Sequence, residues 1–422
     1  MSGRGTLFAV VGGIGLLAAA CGGDGGSSTA TVAADEIATE TPSTPTPTPI
    51  PTRTPDTRTP EELRRASELR DADRTQRFIE RDYPRNNFDI ATVGLHEILP
   101  VLPRDGIRSI DAPNFDSVAA ADEWLDDQEP VIAFELDGDV RAYPLQILTW
   151  HEIVNDIVAE QPVIITYCPL CNTAIAFSRS VDGETREFGV SGALRRNDLI
   201  MYDRETETLW QQITGEAIVG EGAGTQLDFL TSQIVSWLDF RTSFPEAQVL
   251  NRDTGRRANY GENPYPLYDA PGSRTIFPID EFGDERLDAK ERVLAVDLGE
   301  DPIAFPFTAL SESVVIEGES AGQGVIAFWQ PGALSALDES FIIAGRNIGA
   351  AGAFLPVIDG APATFEVSDG AIVDTATGSE WNVLGLAVAG PLEGTQLEAV
   401  VSANHFWFAW SVFEPETRVI TG

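Results

Sequence analysis

Short runs of alternating apolar and polar residues dominate the chain beyond about residue 95. Such runs are typical of half-buried β-strands, and the Gly, Asp and Asn residues between them are typical of hairpin turns. Two stretches, near 144–156 and 235–243, instead predict short helices. The pattern therefore predicts a mainly β (α+β) fold built from antiparallel hairpins. The clearest predicted strands are 131–136, 162–167, 173–178, 186–190, 371–374 and 383–389.

The same pattern occurs twice along the chain. Residues 131–148 align without a gap with residues 293–310. Matching segments then follow in the same order, and they are 206–210 with 377–381, 224–227 with 394–397, and Trp237 with Trp407. We therefore expect an internal duplication that gives two related β-rich domains, at about 95–265 and 270–422, packed as a pseudo-dimer.

The N-terminal residues predict export. Arg4 precedes an apolar stretch, and three alanines lie directly before Cys21. Small residues at this point are typical of a signal cleavage site, and a cysteine directly after them resembles the lipobox of bacterial lipoproteins. We expect residues 1–21 to be a lipoprotein signal, with the mature protein anchored to the cell membrane, outside the cytoplasm, by a lipid on Cys21. An uncleaved anchor with a chance cysteine is the alternative.

The region after Cys21 predicts a tether. Residues 22–60 begin with Gly and Ser and continue into Thr-Pro repeats, which lack the apolar residues of a core and favour an extended, disordered chain. Residues 61–82 then predict one charged helix, so that 61–94 forms a helix and lead-in to the β-rich body.

Composition narrows the choice of partners. The formal net charge is −38 at pH 7, which argues against a nucleic-acid partner. If Cys21 carries lipid, only Cys168 and Cys171 remain as thiols. In an oxidising compartment two nearby cysteines can form a disulfide, bind a metal or exchange electrons.

The two predicted domains differ in their chemistry. The first contains His151, Cys168, Cys171 and Met201, whereas the second has approximately Ser313, Trp329–Pro331 and Ile372 at the matching positions. Side chains present in only one domain are candidates for function. Neutral drift in an ageing duplicate is the alternative explanation.

Cys168-Pro169-Leu170-Cys171 lies between two predicted strands. A turn of this kind resembles a metal-binding knuckle, in which both sulfurs point to one centre. A thioredoxin-type pair would instead open a helix, which lowers the thiol pKa, and the β-branched residues after Cys171 argue against that fold. Zinc sites usually add a second Cys/His pair, which the sequence lacks. Metal ligation and dithiol redox chemistry therefore both stay open.

His151 and Met201 are the further candidate ligands. Glu152 or Asp156 would orient the His151 ring from the second shell, although a structural histidine is the alternative. Met201 is as well explained by core packing. If all four residues meet, two thiolates, an imidazole and a thioether would favour copper over harder ions, with zinc as the other candidate metal.

The first domain resembles an uncharacterised family, domain of unknown function 3179, over about residues 130–265. Asn172 stands where the family usually has Gly after the second cysteine. The resemblance implies a frequently exported protein and supplies no established reaction. It rests on the segments 142–144, 150–156, 166–171, 188–192, 198–203, 209–212 and 253–255.

These observations predict a membrane-tethered, extracytoplasmic metal-binding or redox module centred on Cys168, Cys171 and His151, for copper handling or electron transfer. One alternative is a thiol–disulfide redox protein without metal. The other is a non-catalytic binding lipoprotein in which a disulfide pins a hairpin. The sequence names no substrate, no protein or small-molecule partner and no reaction.

Overall fold

The structure is a computed structural model that describes residues 59–270, 272–277, 283–299 and 301–422. The predicted signal, the lipid on Cys21 and the predicted linker up to residue 58 lie outside the described residues. Among the described helices, none is long and apolar enough to cross a membrane. Contacts group Arg58–Gly422 into one unit.

A charged helix opens the described chain. Helix α1 (Pro60–Asp82) begins at Thr59, whose hydroxyl accepts from Glu62 N at 3.2 Å while the Glu62 carboxylate accepts from Thr59 N at 2.7 Å. This reciprocal cap satisfies two N–H groups that a helix start leaves free. The helix buries Thr75, Phe78 and Ile79 against the body.

The first half of the body (residues 95–265) is mainly strand. A 3-10 turn at Leu95–Glu97 precedes it. Its helices are α2 (Val118–Ala121), α3 (Leu145–His151) and α4 (Trp237–Ser243). Its strands are β1 (Ile98–Pro100), β2 (Phe115–Ser117), β3 (Pro130–Leu136), β4 (Asp139–Pro144), β5 (Ile153–Val158), β6 (Gln161–Cys168), β7 (Thr173–Ser178), β8 (Ser180–Val181), β9 (Glu184–Thr185), β10 (Phe188–Arg195), β11 (Asp198–Asp203), β12 (Leu209–Gln211), β13 (Ala217–Val219), β14 (Phe229–Leu230), β15 (Ser232–Ser236) and β16 (Gln248–Leu250).

The second half (residues 270–422) has a similar order of elements. Its helices are α5 (Phe307–Ser313) and α6 (Trp407–Ser411), with a 3-10 turn at Ile342–Ala344. Its strands are β17 (Arg292–Val296), β18 (Ile303–Pro306), β19 (Val315–Ser320), β20 (Gln323–Gln330), β21 (Ala350–Phe354), β22 (Val357–Ile358), β23 (Ala361–Pro362), β24 (Phe365–Ser368), β25 (Ala371–Asp374), β26 (Glu380–Trp381), β27 (Ala387–Ala389), β28 (Ser402–Phe406) and β29 (Arg418–Val419).

Three sheets of the first half have counterparts in the second. The order β15-β3-β4-β16-β2 corresponds to β28-β17-β18-β29, and β14-β7-β6-β5 corresponds to β21-β20-β19. In the sheet β1-β10-β11-β12-β13, the last four strands correspond to β24-β25-β26-β27 in the same order. In both halves a parallel pair closes the first sheet, β4 with β16 and β18 with β29, and the other pairs are antiparallel. The two halves therefore share one arrangement of strands.

The halves meet beside the cysteine turn. Phe406 N, at the end of β28, donates to Cys171 O at 2.8 Å. On the opposite side, the Gln233 side-chain amide donates to Val383 O at 2.8 Å and Leu334 N donates to Gln128 O at 2.9 Å. The second half is thus part of the wall around the cysteines.

With 38% strand and 17% helix, the mainly β fold is confirmed. Two elements differ from the sequence pattern. The helix predicted near 144–156 ends at His151, because Glu152 has a left-handed backbone (φ 60°) and the β-branched Ile153 and Val154 continue as β5. The strand predicted at 383–389 is formed only at Ala387–Ala389.

Candidate functional site: a buried dithiol and carboxylate

The two cysteines lie at either end of the turn between β6 and β7. Cys171 N donates to Cys168 O at 3.2 Å and Asn172 N donates to Pro169 O at 3.3 Å. Asn172 takes the left-handed conformation (φ 51°), which asparagine tolerates better than most residues, so it replaces the family's usual glycine without loss of the tight turn. The turn joins two strands, as the flanking β-branched residues predict.

Both thiols are free and buried, with Cys168 2% and Cys171 0% exposed. They belong to an apolar cluster that includes Ile153, Leu199 and Trp210. Burial raises the pKa of the Cys168 thiol, and burial together with Cys168 and Asp198 raises the pKa of the Cys171 thiol well above its ordinary value. The thiol form is therefore favoured at neutral pH.

A carboxylate completes the group. Both Sγ atoms and a carboxylate oxygen of Asp198 all lie within 4.8 Å of one another. In the part of the chain that the structure describes, this is the single group of three or more His, Cys, Asp or Glu ligand atoms so close together. Asn197 O lies beside it, 3.4 Å from Cys171 Sγ and 3.9 Å from Cys168 Sγ.

The two carboxylate oxygens of Asp198 differ, because the described residues donate hydrogen bonds to Oδ2 and none to Oδ1. Oδ2 accepts from the Gln211 side-chain amide at 2.6 Å and from Ile213 N at 3.0 Å. Oδ1 is buried and has no hydrogen-bond partner among the described residues. Burial raises the pKa of Asp198 to about 6 against these hydrogen bonds. A buried carboxylate oxygen without a partner carries a desolvation cost, which a ligand would offset.

Asp198 comes from an extension of the β10–β11 hairpin. Residues 191–200 lie between the paired Val190 and Met201, whereas only residues 368–371 lie between the corresponding Val367 and Ile372. The extension brings Asn197 and Asp198 over the cysteine turn. Asp198 was not among the sequence-predicted ligands, although this longer hairpin in one half of the repeat is a signal that could have indicated it.

His151 lies outside the group of possible ligands. Its Nδ1 lies 2.7 Å from Arg108 O and its Nε2 lies 2.7 Å from the Tyr260 hydroxyl, so both ring nitrogens are engaged. Burial lowers the pKa of His151. The two carboxylates expected to orient the ring make no hydrogen bond to it, since Asp156 binds Arg141 and the Tyr143 hydroxyl at 2.8 and 2.6 Å.

Glu152 lies near the site with its carboxylate unpaired. It is 7% exposed, and none of the hydrogen bonds among the described residues involves its side chain. Burial and the charge of Asp198 raise the pKa of Glu152 to about 8. A second acidic group therefore lies close to Asp198 and Cys168.

Met201 is fully buried in β11, paired with Val190 and Trp210. It belongs to the same apolar cluster as the two cysteines. Its counterpart Ile372 occupies the matching position in β25. Apolar packing accounts for Met201, and its thioether also lies in the neighbourhood of the thiols.

Together, the fold and site define a mainly β protein of two similar halves, with a dithiol and a carboxylate buried in the first. The chain belongs to the family described as Protein of unknown function (DUF3179), whose model matches residues 104–417. The match covers both halves and so extends well beyond the span indicated by the sequence motifs. Comparisons with curated proteins and with solved structures found no match.

Proposed function

We propose that the protein binds a thiophilic metal ion through Cys168 Sγ, Cys171 Sγ and a carboxylate oxygen of Asp198. The observation that carries the proposal is that both Sγ atoms and one Asp198 oxygen lie within 4.8 Å of one another, while both thiols are free and Asp198 Oδ1 is buried without a hydrogen-bond partner among the described residues. Three protein ligands leave one position of a tetrahedral ion for a further donor.

The donor set favours zinc over copper. Two thiolates suit either Cu(I) or Zn²⁺, but a carboxylate oxygen suits zinc better. Charge points the same way, because three anionic donors in a buried site are better offset by a divalent than by a monovalent cation. Met201 would favour copper if its thioether joined the site. In this proposal His151 is a structural residue and not a ligand, since both its ring nitrogens are engaged in hydrogen bonds.

A thiol–disulfide cycle of Cys168 and Cys171 without metal is the second candidate. The short distance between the two Sγ atoms favours it. Reactive cysteines, however, are partly exposed and lie in electropositive surroundings that lower the thiol pKa. Here the thiols are buried beside Asp198 and Glu152, and their pKa values are raised. Exchange with an external thiol is therefore disfavoured, as is a purely structural role as a disulfide, since both thiols are free.

We further propose that the protein is an extracytoplasmic lipoprotein tethered through Cys21, and that its halves arose by duplication. The alanines before Cys21 and the Thr-Pro segment support the tether. The matching sheet orders support the duplication. In this proposal the first half retained the metal site and the second half became part of its wall.

The test is the metal content of the full chain, purified with reductant and loaded with zinc or copper. We expect about one tightly held ion per chain, and loss of that ion in Cys171→Ser and Asp198→Asn. Asp228→Asn, at an exposed carboxylate, is the matched control and should keep the ion. Met201→Ile, which installs the residue of the second half, should also keep it.

Peptide mapping of alkylated thiols separates the candidates. Absence of any ion after loading, with Cys168 and Cys171 found as a disulfide, would overturn the metal site in favour of the redox or structural reading. An ion retained by Asp198→Asn would instead contradict the assigned ligand set.

A further inference from the structure

A cavity of about 380 Å³ lies between the two halves. This volume is within the range of small-molecule sites. One wall comes from the first half, from residues 213–232, and the other from the second half, from residues 295–297 and 401–414. We call it the His405 cavity.

The molecule has a second cavity at the corresponding place, with which the His405 cavity can be compared. This second cavity, of about 650 Å³, is lined by the corresponding segments with the halves exchanged, and we call it the Gln233 cavity. When Trp237 is aligned with Trp407, Val235, Phe240 and Phe244 are the sequence counterparts of His405, Trp410 and Glu414. The His405 cavity therefore has an imidazole, an indole and a carboxylate where the sequence of the other half has three apolar side chains.

His405 offers a buried hydrogen-bond acceptor. It is 1% exposed, lines the cavity, and has its Nδ1 2.8 Å from the Thr173 hydroxyl. In the arrangement in which that hydroxyl donates its single proton to Cys171 O, 3.2 Å away, Nδ1 carries the ring proton. Nε2 is then an acceptor, and it has no partner among the described residues. Burial lowers the pKa of His405 to about 3, which keeps the ring neutral.

The charged side chains of the lining are all hydrogen-bond acceptors. Glu216, Asp297 and Glu414 line the cavity, and no Lys or Arg is among the described lining residues. Burial and the neighbouring charge of Asp297 raise the pKa of Glu414. The Gln226 amide nitrogen is already bound to Thr214 O at 2.6 Å. An anion would be repelled here, whereas a cation with N–H donors would meet acceptors on several sides.

Aromatic side chains supply the apolar surface. Trp410, Phe229 and Phe413 line the cavity, and the Trp410 ring stacks on His405 with centroids 4.8 Å apart. Aromatic faces attract cations as well as apolar groups. The lining thus combines aromatic surface, carboxylates and one buried neutral acceptor.

We propose that the His405 cavity binds a small organic ammonium ion, whose N–H groups bond to His405 Nε2 and the carboxylates and whose apolar body packs on Trp410 and Phe229. The buried His405, which lines the cavity and has no hydrogen bond at Nε2 among the described residues, is the observation that distinguishes this cavity from a merely acidic surface. Asp297 and Glu414 lie close enough to repel one another, and a cation between them relieves that repulsion.

The test compares three probes of one shape by titration calorimetry on the full chain: phenethylammonium, phenethyl alcohol and phenylacetate. We expect the ammonium ion to bind at one site, the alcohol to bind at least about tenfold more weakly, and the anion not to bind. Equal binding of ammonium ion and alcohol, or no ammonium binding up to about 10 mM, the weak limit of specific small-ligand affinity, would overturn the proposal.

Variants locate the binding. Glu414→Gln and His405→Val should each lower ammonium affinity by about tenfold or more. Glu398→Gln and Glu135→Gln, at exposed carboxylates of the Gln233 cavity, are the matched controls and should leave the affinity unchanged. If His405→Val does not fold, the test relies on Glu414→Gln and on Asp297→Asn, whose side chain also lines the cavity. A loss in the controls as large as in Glu414→Gln would contradict the assignment to this cavity.

Discussion

Glu152 and Val314 occupy the same point of the two halves. Each directly follows a seven-residue helix, and each has a left-handed backbone, with φ 60° and 65°. Because an apolar β-branched residue adopts the same conformation, the strained backbone belongs to the shared architecture and is not evidence of function. What distinguishes the first half is the buried carboxylate that Glu152 adds next to Asp198.

The raised pKa of Glu152 predicts an unusual dependence of stability on pH in the metal-free protein. In the folded protein the Glu152 carboxyl stays protonated up to about pH 8, whereas in the unfolded chain it loses its proton near its ordinary pKa of 4.5. Wild type therefore loses stability relative to Glu152→Gln as pH rises from about 4.5 to 8. We expect the variant to be more stable at pH 8 by a few kcal/mol, on the order of one to three.

Urea unfolding at about pH 5.5 and about pH 8.5 measures this difference. Glu160→Gln, at an exposed carboxylate, is the control, and its difference from wild type should not change with pH. If the gap between Glu152→Gln and wild type stayed constant or narrowed as pH rose, the assignment of a raised pKa would be wrong.

His151 should matter for stability rather than for metal binding. Replacement by Ala removes the hydrogen bonds of the buried ring to Arg108 O and to the Tyr260 hydroxyl, although that hydroxyl keeps its contact with Thr254, and the loss should cost about 1–3 kcal/mol of unfolding free energy. The metal content of loaded His151→Ala should equal that of wild type. His96→Ala, at an exposed histidine, should change stability by less than about 0.5 kcal/mol. Loss of the ion in His151→Ala would restore His151 as a ligand.

The strands beside the cysteines were predictable because their order is local. Alternating β-branched residues indicate β6 and β7 on either side of the turn, and the apolar pattern indicates α4. Asp198 was not predictable in the same way. It reaches the thiols from another sheet, through a hairpin extension whose direction depends on packing between sheets.

The end of helix α3 shows a second limit of sequence reasoning. Apolar periodicity continues past His151, but the left-handed Glu152 turns the chain into β5. A non-glycine residue with positive φ has no reliable sequence signature. The His151 ring contacts Arg108 O and the Tyr260 hydroxyl, both far away in the sequence, so the partners of this histidine could not be derived from the spacing of Glu152 and Asp156.

Metal affinity should rise steeply with pH if the thiols are ligands. Both thiols have raised pKa values, so each must lose a proton when the ion binds. Between about pH 6.5 and 8 we expect zinc affinity to increase by up to about 100-fold per pH unit, which corresponds to two displaced protons. Competition against a chromophoric chelator measures it.

The matched variant for this slope is Cys168→Ser, which removes one titrating ligand. Its affinity should be lower and should change by only about tenfold per pH unit. An affinity for wild type that did not vary across the range would mean that the bound ion does not contact Cys168 or Cys171.

Asp269 should be the most sensitive acidic residue of the segment that joins the halves. Its side chain is fully buried and pairs with Arg292 and with Arg346, the latter at 3.0 Å, and it also accepts from the Ser335 hydroxyl. Burial opposes ionisation of this carboxyl, but Arg292 outweighs it and lowers the Asp269 pKa. Asp269→Asn leaves the nearly buried Arg292 without its counter-charge, so we expect a loss of about 3–5 kcal/mol in unfolding free energy.

Asp301→Asn provides the comparison, because the Asp301–Arg418 pair is largely exposed and such pairs contribute about 1 kcal/mol or less. Urea unfolding of both variants at neutral pH measures the contrast. Similar small losses in both would mean that Arg292 finds water or another acceptor when Asp269 is removed. A large loss confined to Asp269→Asn would make this pair the main electrostatic link between Asp269 and strand β17.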